Sequence, residues 1–380
     1  MAEEKQYPNY SPGLEGVVAG VSKIARVDPE KQVLVYRGYD ATELARKASF
    51  EEVAHLLVVG HLPSQAEYRT FTSKLRECAA LPKEVVTILR TLPKKTHPMD
   101  ALRTAISCLS GSDPDLDDLS HDANLRKAMR LMGVVPSVVA ASWRILQGQE
   151  PIPADPKLSL AANFLFMLQG KAPDALTERV FNASLILYAE HGFNASTFAC
   201  RVTASTLADI YCSVVAGIGT LKGSLHGGAN EAAMETMLSI GNPAKAEKYV
   251  LDAIARKDKL MGFGHRVYKK GDSRVPTLKT LGKEYAQAKG DLSWYEMADT
   301  MERVMVREKN IYPNVDLPSA WIYYQMGIPI PLYTPIFAVA RMSGWTAHVI
   351  EQLDHNRLIR PSSIYEGPAL QPYVPLAERS

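Results

Sequence analysis

The sequence predicts a mainly α fold, and three observations carry that prediction. From about Ala41 onward, apolar residues recur at spacings of three and four, the period of a helix with one buried face. Two Ser-x-x-Glu boxes, Ser49-Phe50-Glu51-Glu52 and Ser64-Gln65-Ala66-Glu67, each open such a run; a serine hydroxyl and a glutamate in this pattern satisfy amides that have no partner at a helix start. Strand-like pattern is confined to Val17–Tyr36, where two stretches containing β-branched residues flank the turn sequence Asp28-Pro29-Glu30-Lys31, so a small N-terminal hairpin is expected there.

Further helices are expected at about 84–92, 98–110, 123–147, 157–169, 173–189, 195–215, 228–239, 243–257, 276–288, 293–308, 318–326 and 334–354, punctuated by Gly, Pro and Asn. No repeat of fixed period joins them, which argues against a solenoid. The cluster Gly217-Ile218-Gly219-Thr220-Leu221-Lys222-Gly223 falls between two long helical segments and reads as a hinge. It divides the chain into a large helical domain, 1–216 and 325–380, and a smaller inserted one, 217–324. The tail after Arg360, rich in Pro and Ser, has weak periodicity and is expected to wrap over a neighbour.

With 380 residues, 46% hydrophobic and 22% charged, the chain can bury a large core and is long enough for two domains. Its 43 basic and 41 acidic side chains nearly cancel, and no basic run is interleaved with aromatics, so nucleic acid is not an expected partner. The start, MAEEKQYPNYSPG, has no apolar core of a secretory signal, and no uninterrupted apolar stretch is long enough to span a bilayer; no membrane association and a cytoplasmic location are expected. Four cysteines, Cys78, Cys108, Cys200 and Cys212, lack C-x-x-C spacing and sit in apolar helical contexts, which predicts buried free thiols.

Four stretches place His, Arg or Asp beside Gly or Pro: "AEHGFNAS" around His191, "GSLHGGANE" around His226, "GFGHRVYKKGDSR" from Gly262 to Arg274, and "NVDLPS" around Asp316. Each has a purely structural reading. His191 followed by Gly192 fits a helix C-terminus, Asp316 with Pro318 fits an N-cap and first turn, His226 stands before a helix, and Arg266 to Arg274 fits a solvated basic loop. "GFGHRVYKKG" lacks the G-x-x-x-x-G-K-[ST] spacing of a phosphate loop. His191, His226 and His265 lack metal-ligand spacing, so no metal is expected; His348 and His355, two helical turns apart, read as a helix surface and a helix end.

The chemistry that uses these groups without a metal is specific. Arginine forks match carboxylates bidentately, so a cluster implies a di- or tricarboxylic acid. An aspartate can remove a proton α to a carbonyl while a neutral histidine holds the developing enolate oxygen. A second histidine that protonates a ketone completes a carbon–carbon condensation.

At these residues the sequence resembles the citrate synthase family, including 2-methylcitrate synthases, from "GLEGVVAG" and "YRGYD" through "GSLHGGANE", "MGFGHRVYKKGDSR" and "NVDLPS" to "RLIRPSSIYEGP". The resemblance covers nearly the whole chain and is to the shorter bacterial and archaeal members, without a long N-terminal extension, so no nucleotide-regulatory domain is expected. It implies a mainly helical two-domain fold and an acyltransferase that condenses acetyl-CoA with oxaloacetate and hydrolyses the thioester to citrate and CoA.

It also implies roles for individual residues. His226 polarises the thioester carbonyl, Asp316 takes a methyl proton and His265 activates the oxaloacetate ketone. His191, Arg274, Arg341 and Arg360 hold the carboxylates, with Arg360 supplied by the neighbouring subunit of a homodimer. CoA lies along Lys259, Leu260, Met261, Gly262 and Phe263, with Arg266 at a phosphate, and no cofactor is required.

Two positions depart from the family pattern: Gly192 stands where glutamate is usual, and Ser273 where proline is common, which predicts a looser approach to Arg274. A 2-methylcitrate synthase using propionyl-CoA is the nearest alternative, and a non-catalytic helical interaction protein is the alternative of another class.

Overall fold

The computed structural model describes residues 7, 10–265, 267, 268 and 270–379. Sixteen α-helices and a single small sheet lie among them, as the sequence predicts. Most helices start where the residue pattern says they should. Ser49 and Ser64 close complete capping boxes with Glu52 and Glu67, while Ser120, Ser159, Asp174, Asn194 and Asp209 accept hydrogen bonds from amides in the first turns of His121–Leu146, Leu160–Gln169, Ala175–Tyr188, Ala195–Ser205 and Ile210–Leu221. Each such cap contributes about 1 kcal/mol.

The hairpin pairs Ala25–Asp28 with Val33–Tyr36 in the register Asp28↔Val33, and a third strand, Tyr39–Asp40, extends the sheet. That third strand delivers Asp40, whose carboxylate caps Ala41–Lys47. Tyr36 plugs the sheet into the core: it is fully buried, and its hydroxyl lies 2.9 Å from the Glu190 carbonyl oxygen and 3.1 Å from that of Ile186.

The expected helix at 195–215 is two helices. Leu207 takes φ +66°, and Asp209 then caps the second helix by accepting from the amides of Tyr211 and Cys212. Apolar spacing runs on across this break because both helices bury faces against each other, and a period count does not register a reversal of direction. The glycine cluster likewise does not separate helical segments, since Ile210–Leu221 runs through Gly217 and Gly219. Gly217 serves packing: a Cβ there would lie 2.5 Å from Cys200 Sγ and 3.1 Å from the Trp345 ring.

Helix Tyr333–Asp354 is the centre of the fold, packed by Phe50–Val59, His121–Leu146, Ala175–Tyr188, Ala195–Ser205 and Ile210–Leu221. His348 in this helix is fully buried, so it is no surface residue; Glu190 Oε1 at 3.0 Å from Nε2 and Arg201 Nη1 at 3.0 Å from Nδ1 hydrogen-bond both ring nitrogens, which is what makes a buried imidazole tolerable there. His355 does end the helix. His121–Leu146 is long and apolar enough to cross a membrane by length and composition, although Arg130 and Arg144 interrupt its apolar stretch, and 78% of its apolar window is buried inside the protein, as in a core helix. Of the cysteines, all free, only Cys200 is fully buried; Cys78 and Cys108 are half-buried and Cys212 is exposed, because apolar neighbours in sequence do not fix which face a side chain takes.

Candidate active site

Four chain segments between or at the ends of helices converge on a cleft of about 1310 Å³. His191 lies between Ala175–Tyr188 and Ala195–Ser205, His226 before Ala229–Ile240, His265 and Arg274 between Ala246–Arg256 and Val275–Lys289, and Asp316 at the first residue of Asp316–Gln325. Arg341 reaches the same space from inside Tyr333–Asp354. All six line the cleft, with Lys259, Met261, Gly262 and Phe263. Leu260, by contrast, is buried in the apolar core. Arg266 lies outside the described residues. Arg360 is exposed on the C-terminal tail and is no part of the cleft wall.

Hydrogen bonds assign the proton on two of the imidazoles. The Ser196 amide, in the first turn of Ala195–Ser205, donates to His226 Nε2 at 3.3 Å, so that nitrogen carries a lone pair and the hydrogen sits on Nδ1. Ser196 Oγ supports the same nitrogen at 2.8 Å and itself receives a hydrogen bond from Trp345 Nε1 at 3.1 Å. Burial and the Arg341 charge push the His226 pKa down to about 3, so the ring is neutral. His265 is arranged the other way round: Nδ1 accepts from the amides of Val267 and Tyr268 at 3.0 and 3.1 Å, which leaves the hydrogen on Nε2.

Asp316 is 8% exposed, and burial raises its pKa to about 6 against the opposing effects of a hydrogen bond from the Tyr188 hydroxyl at 2.7 Å and of the Arg274 charge. It is not an N-cap. Val315 occupies that position, and the Asp316 amide is instead taken by Asn314 Oδ1 at 3.0 Å. Nor is the basic loop solvated at its end: Arg274 is 4% exposed and forked onto Asp272, Nε to Oδ1 at 2.9 Å and Nη2 to Oδ2 at 2.7 Å. Arg341 donates from Nε to the Tyr188 carbonyl oxygen at 2.8 Å and lies 4.8 Å above the Phe337 ring, while its Nη1 is buried with no protein partner.

His191 Nε2 is also buried and unpartnered. Burial, then the charges of Arg274, His265 and Arg341, hold His191 neutral, well below the ordinary histidine pKa. It does not cap a helix end; Ala189 takes that position in Ala175–Tyr188. Each unpaired buried donor or acceptor costs free energy unless a ligand meets it, and both His191 and Arg341 line the cleft, where a carboxylate meets the Arg341 N–H.

Gly192 has φ +61°, a conformation in which a glutamate would be strained. The segment before Arg274 is tied by the Tyr268 and Ser273 hydroxyls at 2.8 Å in addition to the Asp272 fork, a tether that serine permits and proline does not. Among the described residues, the His, Cys, Asp and Glu group with converging metal-binding atoms is His55, His61 and Glu67, none of which lines the cleft.

Four site residues escape the sequence reading. Tyr188, Ser196 and Phe337 sit in helical runs where their period marks them as core. Asp272 had a readable signal, two residues before Arg274 in the same Gly-bounded loop.

A helical fold with acid–base groups and two buried arginines around one deep cleft defines an acid–base enzyme. Residues 13–362 match the family described as citrate synthase, C-terminal domain, and the chain belongs to the citrate synthase family. It is 46% identical over 370 residues to the citrate/2-methylcitrate synthase of Bacillus subtilis, covering 97% of this chain and 99% of that one. Identity is also 46% to the 2-methylcitrate synthase of Mycobacterium tuberculosis, over 95% of this chain and 91% of that one. Among solved structures, the citrate synthase of Pyrobaculum aerophilum superposes with a TM-score of 0.91 at 40% identity, covering 97% and 95% of the two chains. That of Thermoplasma acidophilum, in ternary complex with carboxymethyl coenzyme A and oxaloacetate, gives 0.92 at 34% identity, covering 98% and 100%.

Proposed function

We propose that this chain, a transferase by family, condenses acetyl-CoA with oxaloacetate and hydrolyses the product thioester to citrate and CoA. The observation that carries the reading is the complementary protonation around one cleft: a carboxylate poised near neutrality, an Nδ1–H on neutral His226 and an Nε2–H on His265. Asp316 removes a proton from the acyl methyl group, and the His226 Nδ1–H holds the enolate oxygen that develops. The enolate carbon attacks the ketone carbon, whose oxygen takes its proton from His265. Water then cleaves the thioester and releases CoA as the thiol.

Arg274, Arg341 and His191 hold the oxaloacetate carboxylates, and Arg360 joins them from the second subunit of a homodimer. CoA lies along Lys259–Phe263. Residues 217–324 supply His226, His265, Arg274 and Asp316, and the remainder supplies His191 and Arg341; closure of the smaller domain on the larger excludes water before condensation.

Propionyl-CoA with 2-methylcitrate as product is the second reading, favoured by relatives of both names at equal identity. One methylene in an apolar pocket is worth only about 1–3 kcal/mol, so both thioesters are expected to react. Thiol release from acetyl-CoA and from propionyl-CoA, each with and without oxaloacetate, tests the reaction and the preference together. Release that does not depend on oxaloacetate contradicts the proposal.

The Asp316 carboxyl fixes the pH dependence. With its pKa raised to about 6, the base is protonated and idle below that pH and available above it. The kcat/KM for acyl-CoA is therefore expected to fall about tenfold per pH unit below 6 and to level off above it. A profile that stays flat to pH 4.5 contradicts the assignment.

A further inference from the structure

We propose that Tyr188 is the positioning residue of the base: its hydroxyl clamps Asp316 Oδ1, so that Oδ2 is the oxygen that takes the substrate's proton. This rests on the reading of Asp316 as the base. Tyr188 ends helix Ala175–Tyr188, on an element separate from Asp316, and is fully buried. Its hydroxyl oxygen lies 2.7 Å from Asp316 Oδ1 and 2.7 Å from Ser319 Oγ. A phenol has one hydrogen and a carboxylate has none to give, so the phenol donates to Asp316, and Ser319 Oγ, whose one hydrogen also has the Asp316 carbonyl oxygen at 3.1 Å as an acceptor, is the donor in its contact with the phenol. The direction of both bonds is thereby set.

The ring has no room to swing. It packs on Phe337 at 4.3 Å between centroids, and Phe337 in turn lies under the Arg341 guanidinium and 6.0 Å from the His226 ring. The main chain of the same residue holds the other partner, since the Tyr188 carbonyl oxygen accepts from Arg341 Nε. One residue thus fixes the base through its side chain and a carboxylate-binding arginine through its backbone, and sets the spacing between them. The other charged or titratable groups around Asp316 are Asp272 and Arg274 from the loop before Val275–Lys289, Arg341 from Tyr333–Asp354, and Tyr323 from its own helix, whose hydroxyl is committed to Ser184. Among the described residues, Tyr188 is the side chain that donates a hydrogen bond to this carboxylate.

Tyr188→Phe removes only the hydroxyl and leaves the ring and the backbone carbonyl in place. The kcat is expected to fall about 10- to 100-fold, the scale of one hydrogen bond to a charged group, with KM for oxaloacetate within about twofold of wild type because the Arg341 contact survives. The acid limb of kcat/KM is expected to move to higher pH, since the lost donor favoured the ionised carboxylate.

Ser319→Ala, which leaves the phenol but removes its second tether, is expected to shift both quantities in the same direction by less, and decides the matter if Tyr188→Phe does not fold. A folded Tyr188→Phe enzyme with wild-type kcat and an unmoved limb overturns this inference alone. A wild-type chain that releases no thiol from either acyl-CoA overturns the reading of Asp316 and this inference with it.

Discussion

Asp316→Asn is expected to lower kcat by about 10²- to 10⁴-fold, the usual contribution of a positioned general base, while oxaloacetate still binds. The amide keeps the shape of the carboxylate, and its oxygen still accepts the Tyr188 hydrogen bond, so the fold and the clamp persist. What disappears is the lone pair able to take a proton from carbon. Arg274, Arg341 and His191 are untouched, and saturation of the variant by oxaloacetate, followed by titration calorimetry, is expected to match wild type. Near wild-type turnover would leave the residue as a structural member of the Tyr188–Ser319 group and nothing more.

The second large effect concerns Arg360, exposed on the tail and absent from its own chain's cleft wall. If it completes the site of the other subunit, Arg360→Ala and Asp316→Ala homodimers are both nearly inactive, whereas a mixed dimer contains one site with both lesions and one with neither. Random pairing on co-refolding makes about half the dimers mixed, each with one intact site of two, so about a quarter of wild-type activity is expected to return. Proven heterodimers that remain as inactive as their parents would place Arg360 in service to its own chain. Activity of the mixture, set against the dimer fraction measured by native mass spectrometry, checks the outcome.

The sequence was most readable where chemistry forces an unusual local context. His191, His226, His265 and Arg274 stand within two residues of Gly or Pro in irregular segments, and Asp316 two residues before Pro318 at the first position of a helix; backbone that is free of helix ladders is what can approach a ligand. Helix existence was readable for the related reason that caps and period are local properties. Tyr188 and Phe337 were hidden because a residue with one face on the core and one atom on a cleft has the same period as a residue wholly in the core. The break at Leu207 was hidden because the apolar period runs on across it although Asp209 caps the second helix locally, and the burial of His348 because its partner is far away in sequence. Glu190 is 158 residues from the histidine it hydrogen-bonds, and no spacing rule reaches that far.

Helix Tyr333–Asp354 carries Arg341 toward the cleft, and one turn later Trp345, whose indole holds Ser196 against His226. The Arg341 guanidinium and the Ser196 contact to His226 are therefore both set by the axial position of a single rod. Slippage of that rod would displace both together, and the bare backbone of Gly217 lies against the Trp345 ring. A side chain added there would press on Cys200 and Trp345, costing stability and displacing the helix that carries Arg341, although it touches neither substrate.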